Sequence, residues 1–428
     1  VENHNWNENF KEDDMQMTIE GEKPPSRFFE KFSQFKNVNL EEWNDWRWQL
    51  RNSIRSVEKL SEFIELTENE KIQLKMVTSV YPMFISPYYF SLINPDDPED
   101  PIRKQAIPSI AELVEFNDYD EEDPLHEEID SPCPGLTHRY PDRVLIVATN
   151  FCPTFCRHCT RKRIFKNHGG RRAYLDLSAA VNYLTEHREI KDVVISGGDP
   201  LTLPFSVLEK ILASIRSIPH IDIIRIGTRT PVTLPQILFD RELLRILEKY
   251  GPIWVNTHFN HPAEVTEYSE KAVLNLLKIG IPVNNQSVLL KGVNDTPETM
   301  IELSRALLKI RVRPYYIYHC DPVKGVSHFR TSLWKGVEIM ERMRGHISGL
   351  GVPTYVVDAP GGGGKIPISP NYILSFTEDT VILRNYEGKI FKYHPNGKDS
   401  NISSLPFLRQ EKGIQIYIRR KGWRKKKE

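Results

Sequence analysis

Three of the chain's five cysteines stand on one short stretch, at Cys152, Cys156 and Cys159, spaced C-x3-C-x2-C. Thiolates are the usual ligands of iron–sulfur clusters, and a [4Fe–4S] cube normally takes four of them. Three local cysteines hold three irons and leave the fourth open to a small chelating ligand. That points to reaction chemistry more than to simple electron transfer. A non-enzymatic electron carrier, with Cys133 or Cys320 as the fourth ligand, is the alternative use of the same cluster. Structural zinc sites pair C-x2-C with a second such pair or with two histidines, and no second pair follows here.

A second chemical signal is Pro360-Gly361-Gly362-Gly363-Gly364-Lys365. A phosphate-binding P-loop would need glycine where Ala359 stands and Ser or Thr where Ile366 stands. The run instead presents a lysine amine with little side-chain obstruction, suited to bonding an aldehyde. Gly197-Gly198-Asp199 permits close backbone approach to a ligand, although it also serves as an ordinary turn. His258 and His261 resemble a metal pair, but no third ligand lies near them in sequence.

These residues need a scaffold. Six apolar, β-branched runs, at 143–149, 192–195, 221–226, 253–256, 283–290 and 314–318, alternate with helical patterns. One helix is announced by Thr296-Pro297 and by an apolar face at Met300, Leu303, Leu307 and Ile310. Strands alternating with helices predict βα units and a parallel sheet. The cysteines follow the first strand, Ser196-Gly197-Gly198-Asp199-Pro200 the second and Thr257-His258-Phe259-Asn260-His261 the fourth. Asn285-Gln286 lies in the fifth, Asp321 follows the sixth, and Asp358 with Lys365 closes the series. Barrel chemistry gathers at the C-terminal ends of strands, so all of these should converge on one mouth.

Composition bounds the rest. The 428 residues allow a large core and two or three domains, and Lys+Arg equals Asp+Glu at 57 each. A net charge of zero gives no global pull toward nucleic acid or membrane. No apolar run is long enough to span a bilayer. An odd cysteine count with three clustered does not read as a disulfide framework and fits a reducing cytoplasm. Trp43, Trp46 and Leu50 recur at helix spacing as a packing stripe, 56–66 predicts a second helix, and Thr67 with Glu70 starts a third. Pro95–Pro101 reads as a linker, and the acidic run 115–131 as a solvated connecting loop. The segments 380–385 and 389–393 read as a hairpin, and the basic tail from Arg419 as a solvated end.

The cysteine stretch Cys156-Arg157-His158-Cys159-Thr160-Arg161-Lys162-Arg163 resembles that of the radical S-adenosylmethionine enzymes. Together with GLTHRYPDRV, NTHFNHP, RVRPYYIYHCD and VVDAPGGGGK it resembles the lysine 2,3-aminomutase family over about residues 40 to 395. The resemblance implies an α/β fold: a partial (β/α)6 barrel at 136–365, an N-terminal helical region at 1–135 that joins protomers, and a small β-containing C-terminal segment at 366–428. A full eight-unit barrel is the competing count. Implied cofactors are a [4Fe–4S] cluster on Cys152, Cys156 and Cys159, S-adenosyl-L-methionine, and pyridoxal 5′-phosphate anchored on Lys365. Arg139 and Arg143 match arginines beside the cofactor phosphate. Gly197, Gly198, Asp199, His258 and Gln286 match positions near S-adenosylmethionine or the cofactors.

By the same resemblance, Arg161 holds the substrate α-carboxylate, and Asp321 and Asp358 hold its side-chain ammonium. Two like charges about 4 Å apart cost roughly 4 kcal/mol at an effective dielectric near 20. A pair of aspartates therefore favours a cationic substrate and opposes glutamate. The implied reaction moves the α-amino group of L-lysine from C2 to C3 to give β-lysine. The alternatives are arginine or ornithine as substrate, or a protein lysine or tRNA. A flavodoxin- or ferredoxin-type one-electron reductant and a homo-dimer or tetramer are also implied. No cysteine lies beyond Cys320, so no C-terminal zinc site is expected.

Overall fold

The computed structural model describes residues 32–35, 37–166, 175–377 and 380–394. The polar lead ending at Pro24-Pro25 and the basic tail lie outside them. Nine strands form one sheet in chain order: β1 (Leu136–Tyr140), β2 (Arg143–Thr149), β3 (Asp192–Gly197), β4 (Ile223–Gly227), β5 (Ile253–Thr257), β6 (Val283–Leu289), β7 (Arg313–His319), β8 (Thr354–Ala359) and β9 (Gly364–Pro367). Strands β2 to β8 are parallel, and β1 and β9 are antiparallel edges. Six crossovers join the seven parallel strands, which matches the six-unit expectation with a closing strand added. The three extra strands lack an apolar run of their own. In β1 and β9 the short sequences LTHRY and GKIP are mostly polar or small, and in β8 the apolar residues stop at Asp358. The two edges meet where the Lys365 backbone N–H donates to the Tyr140 hydroxyl at 3.0 Å.

The strands form because their alternate residues bury against helices. Val193, Ile195, Ile224, Ile226 and Val255 have no exposed surface, nor do Leu208, Leu212 and Ile215 of the helix Phe205–Arg216. Each such side chain contributes about 1.5–3 kcal/mol by leaving water. In the helix Pro297–Lys309, Thr296 caps the Thr299 N–H, Pro297 occupies the first turn, and Met300, Leu303 and Leu307 face inward, as predicted.

The N-terminal helix expected over 40–50 is two helices, Leu40–Asn44 and Trp46–Arg51. Asp45 divides them because its carboxylate caps Arg47 and Trp48 N–H groups. Trp43 and Leu50 are buried, and Trp46 donates to Asp240 at 3.0 Å, so the stripe packs. The second helix is shorter than expected, Val57–Ser61. The third, Glu68–Val80, carries the Thr67–Glu70 capping box. Pro95–Pro101 folds as turns ending on Asp100, which caps the helix Pro101–Ala106. Beyond the barrel, β10 (Ile373–Phe376), β11 (Val381–Arg384) and β12 (Ile390–Tyr393) form a small antiparallel sheet that contains the expected hairpin. Among the described residues no helix is long and apolar enough to cross a membrane.

The N-terminal region grips the cysteine loop. Ile85 bridges both Ile54 and Thr154, the Phe155 N–H donates to the Phe84 carbonyl at 2.8 Å, and the Arg157 N–H donates to Gln105 at 2.9 Å. Arg157 is buried and donates to Glu112, Pro82 and Tyr81. Lys162 meets the same Glu112 at 2.7 Å and donates to the Gly325 carbonyl at 2.6 Å. Burial alone would raise the Glu112 carboxyl; the charges of Arg157 and Lys162 outweigh it and hold it at about 2. The clamp's contribution is therefore complete above the ordinary glutamate range and is lost as pH falls toward 2. Glu112→Ala leaves two cations buried without a counter-charge, and urea denaturation should show a loss of about 3–5 kcal/mol. A loss below about 1 kcal/mol, the scale of a surface pair, would contradict the clamp.

Candidate active site

A cavity of about 390 Å³ lies inside the sheet, lined by strand residues such as Val144, Val194 and Asn256 and by the loops that follow the strands. Arg139, Arg143, Arg161, His258, Gln286, Asp321, Asp358 and Lys365 all line it. So do His158 and Thr160, the residues on either side of Cys159. The cysteine loop and the lysine loop, more than two hundred positions apart in sequence, thus share one chamber, as the placement of polar signals after the strands predicts.

Lys365 points its amine at Asp358, with Nζ 2.9 and 3.2 Å from the two carboxylate oxygens and 5.1 Å from the centre of the Tyr318 ring. Its loop turns through left-handed backbone at Gly361, Gly362 and Gly364. A Cβ on Gly362 would also come within 3.3 Å of the Arg139 side chain. Asp321 accepts a hydrogen bond from the Thr160 hydroxyl at 3.3 Å. Burial, then the negative charge of Asp358, push the Asp321 carboxyl up to about 7. Arg143 lies over the Tyr140 ring at 3.9 Å, and Arg139 is held by Asp130 at 2.8 Å and by the Leu125 carbonyl.

The acidic run is a solvated loop only in part: residues 115–119 are exposed, but Asp120 and Glu127 are buried. Glu127 is buried and grips Arg161, with Nη2 to Oε1 at 2.6 Å and Nε to Oε2 at 2.9 Å. It also takes Arg163 at 3.1 Å. Glu121 pairs with Val323 by backbone bonds just beyond Asp321. The cause is charge balance: the Arg161-Lys162-Arg163 run, of which Arg161 lines the cavity, needs carboxylates, and these come from Glu127, Asp123 and Glu112.

Gly197, Gly198 and Asp199 do not line the cavity. The Asp199 carboxylate accepts from Leu201 N–H (3.2 Å), Thr228 hydroxyl (2.7 Å) and Arg229 N–H (2.7 Å), tying the tip of β3 to that of β4. Burial pushes its carboxyl up to about 6 against those hydrogen bonds. A Cβ on Gly198 would lie 2.4 Å from the Phe151 carbonyl oxygen, so glycine here lets β3 abut the start of the cysteine loop. His258 is pushed down to about 4, first by burial and then by Arg229, and is a neutral imidazole at neutral pH. His261 caps the turn Pro262–Glu264 rather than joining His258 as a metal pair. Arg229, in Gly227-Thr228-Arg229-Thr230-Pro231 after β4, contacts the cysteine loop and was passed over by sequence reasoning. It donates to Cys156 Sγ at 2.7 Å, Glu264 at 2.7 Å and the His258 carbonyl at 3.0 Å. The signal was available: β4 ends in the same polar, glycine-led way as its neighbours.

The Radical SAM superfamily profile matches residues 146–304, and the lysine-2,3-aminomutase profile matches residues 340–407. The chain is 53% identical over 363 residues to the L-lysine 2,3-aminomutase of Clostridium subterminale, covering 85% of this chain and 87% of that protein. This chain belongs to the lysine 2,3-aminomutase family. It is 50% identical to the L-lysine 2,3-aminomutase of Bacillus subtilis (strain 168), over 89% of this chain and 82% of that one. It is also 44% identical to the glutamate 2,3-aminomutase of Clostridioides difficile (strain 630), over 87% and 88%.

Membership implies a [4Fe–4S] cluster, S-adenosylmethionine and pyridoxal phosphate. The residues present fit all three. Among the described residues no three His, Cys, Asp or Glu side chains converge on a single ion. A cube gives each thiolate its own iron, so the three cysteines need not converge. Burial, then Cys156, push the Cys159 thiol up to about 11, so thiolates here call for the positive charge that iron brings. Lys365 supplies an amine inside the cavity, and Arg139 and Arg143 supply guanidinium groups suited to a phosphate. Gly198→Ala should displace the start of the cysteine loop, lowering stability by about 1–3 kcal/mol. Iron retained per chain after gel filtration should fall with it. Gly349→Ala, whose Cβ meets nothing within 4 Å, should change neither measurement.

Proposed function

We propose that the chain is an L-lysine 2,3-aminomutase, moving the α-amino group of L-lysine from C2 to C3 to give β-lysine. The observation that carries the substrate choice is the pair Asp321 and Asp358 on the cavity wall, close enough for one charge to raise the other. Identity does not decide it, because a glutamate enzyme is nearly as similar as the lysine enzymes. A substrate carboxylate beside two aspartates faces repulsion of roughly 4 kcal/mol per close pair, whereas an ammonium is attracted by both.

When bound, the cluster with S-adenosylmethionine supplies a hydrogen-abstracting radical, and pyridoxal phosphate supplies a ring that delocalises the unpaired electron. The protein's own residues position and charge-match the substrate. Arg161 offers N–H donors to the α-carboxylate. Asp321 and Asp358 receive the side-chain ammonium. Asp358 holds the Lys365 amine at 2.9 Å, which fixes where Nζ stands in the cavity. Arg139 and Arg143 would hold the phosphate, and Cys152, Cys156 and Cys159 would each hold an iron of the cluster. Gly197, Gly198 and Asp199 set the position of the cysteine loop, and His258 and Gln286 present neutral groups to the adenosyl ligand. The reaction is placed in a reducing cytoplasm, with a flavodoxin- or ferredoxin-type donor and a homo-oligomeric enzyme.

Anaerobic reconstitution with both cofactors and a chemical reductant, followed by incubation with lysine, arginine, ornithine and glutamate, should yield β-lysine and leave glutamate unchanged. Glutamate rearrangement, or none with any cationic amino acid, would overturn the assignment. A pH series gives a second check. The free site holds a proton on Asp321 below about 7, and an occupied site must release it. Lysine affinity should therefore rise with pH through about 7, with protons released on binding in calorimetry below that pH. Affinity that is flat from pH 6 to 8 would contradict this role for Asp321.

A further inference from the structure

We propose that Glu127 is a positioning residue for the substrate's α-carboxylate, acting through Arg161. This rests on the reading above, in which Arg161 meets that carboxylate. Glu127 is 6% exposed, and both of its oxygens are engaged. Oε1 accepts from Arg161 Nη2 at 2.6 Å and Nε at 3.1 Å. Oε2 accepts from Arg161 Nε at 2.9 Å and from Arg163 Nη2 at 3.1 Å. Glu127 therefore takes one edge of the Arg161 guanidinium. Among the described residues, Nη1 has no hydrogen-bond partner, and Arg161 lines the cavity. An arginine held along one edge presents its remaining donors in a fixed direction, which is what bidentate or end-on recognition of a carboxylate needs.

Arg163 has two further carboxylates, Asp123 at 3.3 Å and Glu128 at 3.5 Å, so Glu127 is left chiefly to Arg161. Burial would raise the Glu127 carboxyl; the charge of Arg161, then of Arg163, outweighs that and holds it at about 2. It is thus an anion throughout the working range. Its backbone is fixed on both sides. Glu121 is bonded to Pro322 and Lys324, next to Asp321, and Asp130 is bonded to Arg139. One segment therefore ties the element carrying Asp321, at the ammonium end of the substrate, to Arg161 at its carboxylate end. An arginine ordered before the substrate arrives removes its ordering cost from binding.

The test compares L-lysine with 1,5-diaminopentane, which keeps both amines and lacks the carboxylate. Both are measured by anaerobic equilibrium dialysis on the reconstituted holoenzyme. Wild type should prefer lysine. Glu127→Gln should cut lysine affinity by about ten- to a hundredfold, the scale of one hydrogen bond to a charged group. Affinity for 1,5-diaminopentane should not change, so the preference collapses. Where Glu127→Gln fails to fold, Glu127→Asp draws the charge back by one methylene and should lower the preference in the same selective way. A variant that keeps the wild-type preference, or loses both ligands equally, overturns the proposal. A wild type with no preference for lysine overturns the underlying role of Arg161 instead.

Discussion

Charge buried without water must be matched by charge, and at this site that requirement shapes the surrounding fold. The cysteine loop carries Arg157, Arg161, Lys162 and Arg163 into or beside the interior. Each would cost several kcal/mol there alone. Their partner Glu112 stands on the last N-terminal helix, Ala111–Val114, and Asp123 and Glu127 come from the segment between that helix and the barrel. The pairing fixes the loop from outside while the cavity stays open inside. It explains why a strongly acidic stretch runs across the face of a catalytic barrel instead of trailing into solvent.

The same rule applies on the opposite side of the cavity. At the far wall the carboxylates are in excess: Asp358 has Lys365, but Asp321 has only a hydroxyl. An uncompensated buried carboxylate is costly, and a cationic side chain removes that cost on binding. Sequence identity of 53% to a lysine enzyme and 44% to a glutamate enzyme measures shared scaffold.

Much of this was legible in the sequence, for physical reasons that can be named. Strands with one face packed on helices declare themselves by apolar residues at alternate positions, and β2 to β5 do so. The triplet Cys152, Cys156 and Cys159 and the exposed amine of Lys365 depend on local spacing, which a sequence displays directly. What was hidden depends on pairing at a distance. Glu127 looks like any glutamate in an acidic run until Arg161 is placed against it, thirty-four positions on. Asp199 has the composition of a ligand contact, yet its oxygens are used by the neighbouring strand tip. Arg229 is separated from Cys156 by seventy-three positions. Strands β1, β8 and β9 were missed because their residues serve the cavity and so lose the apolar pattern that marks a strand.

The most direct measurement is an anaerobic crystal structure of the reconstituted enzyme with L-lysine bound. The account predicts the lysine side-chain nitrogen within about 3.2 Å of Asp321 or Asp358, and the α-carboxylate within the same reach of an Arg161 Nη that Glu127 leaves free. Lysine lying in the reverse direction, or with its side-chain nitrogen away from both aspartates, would contradict it.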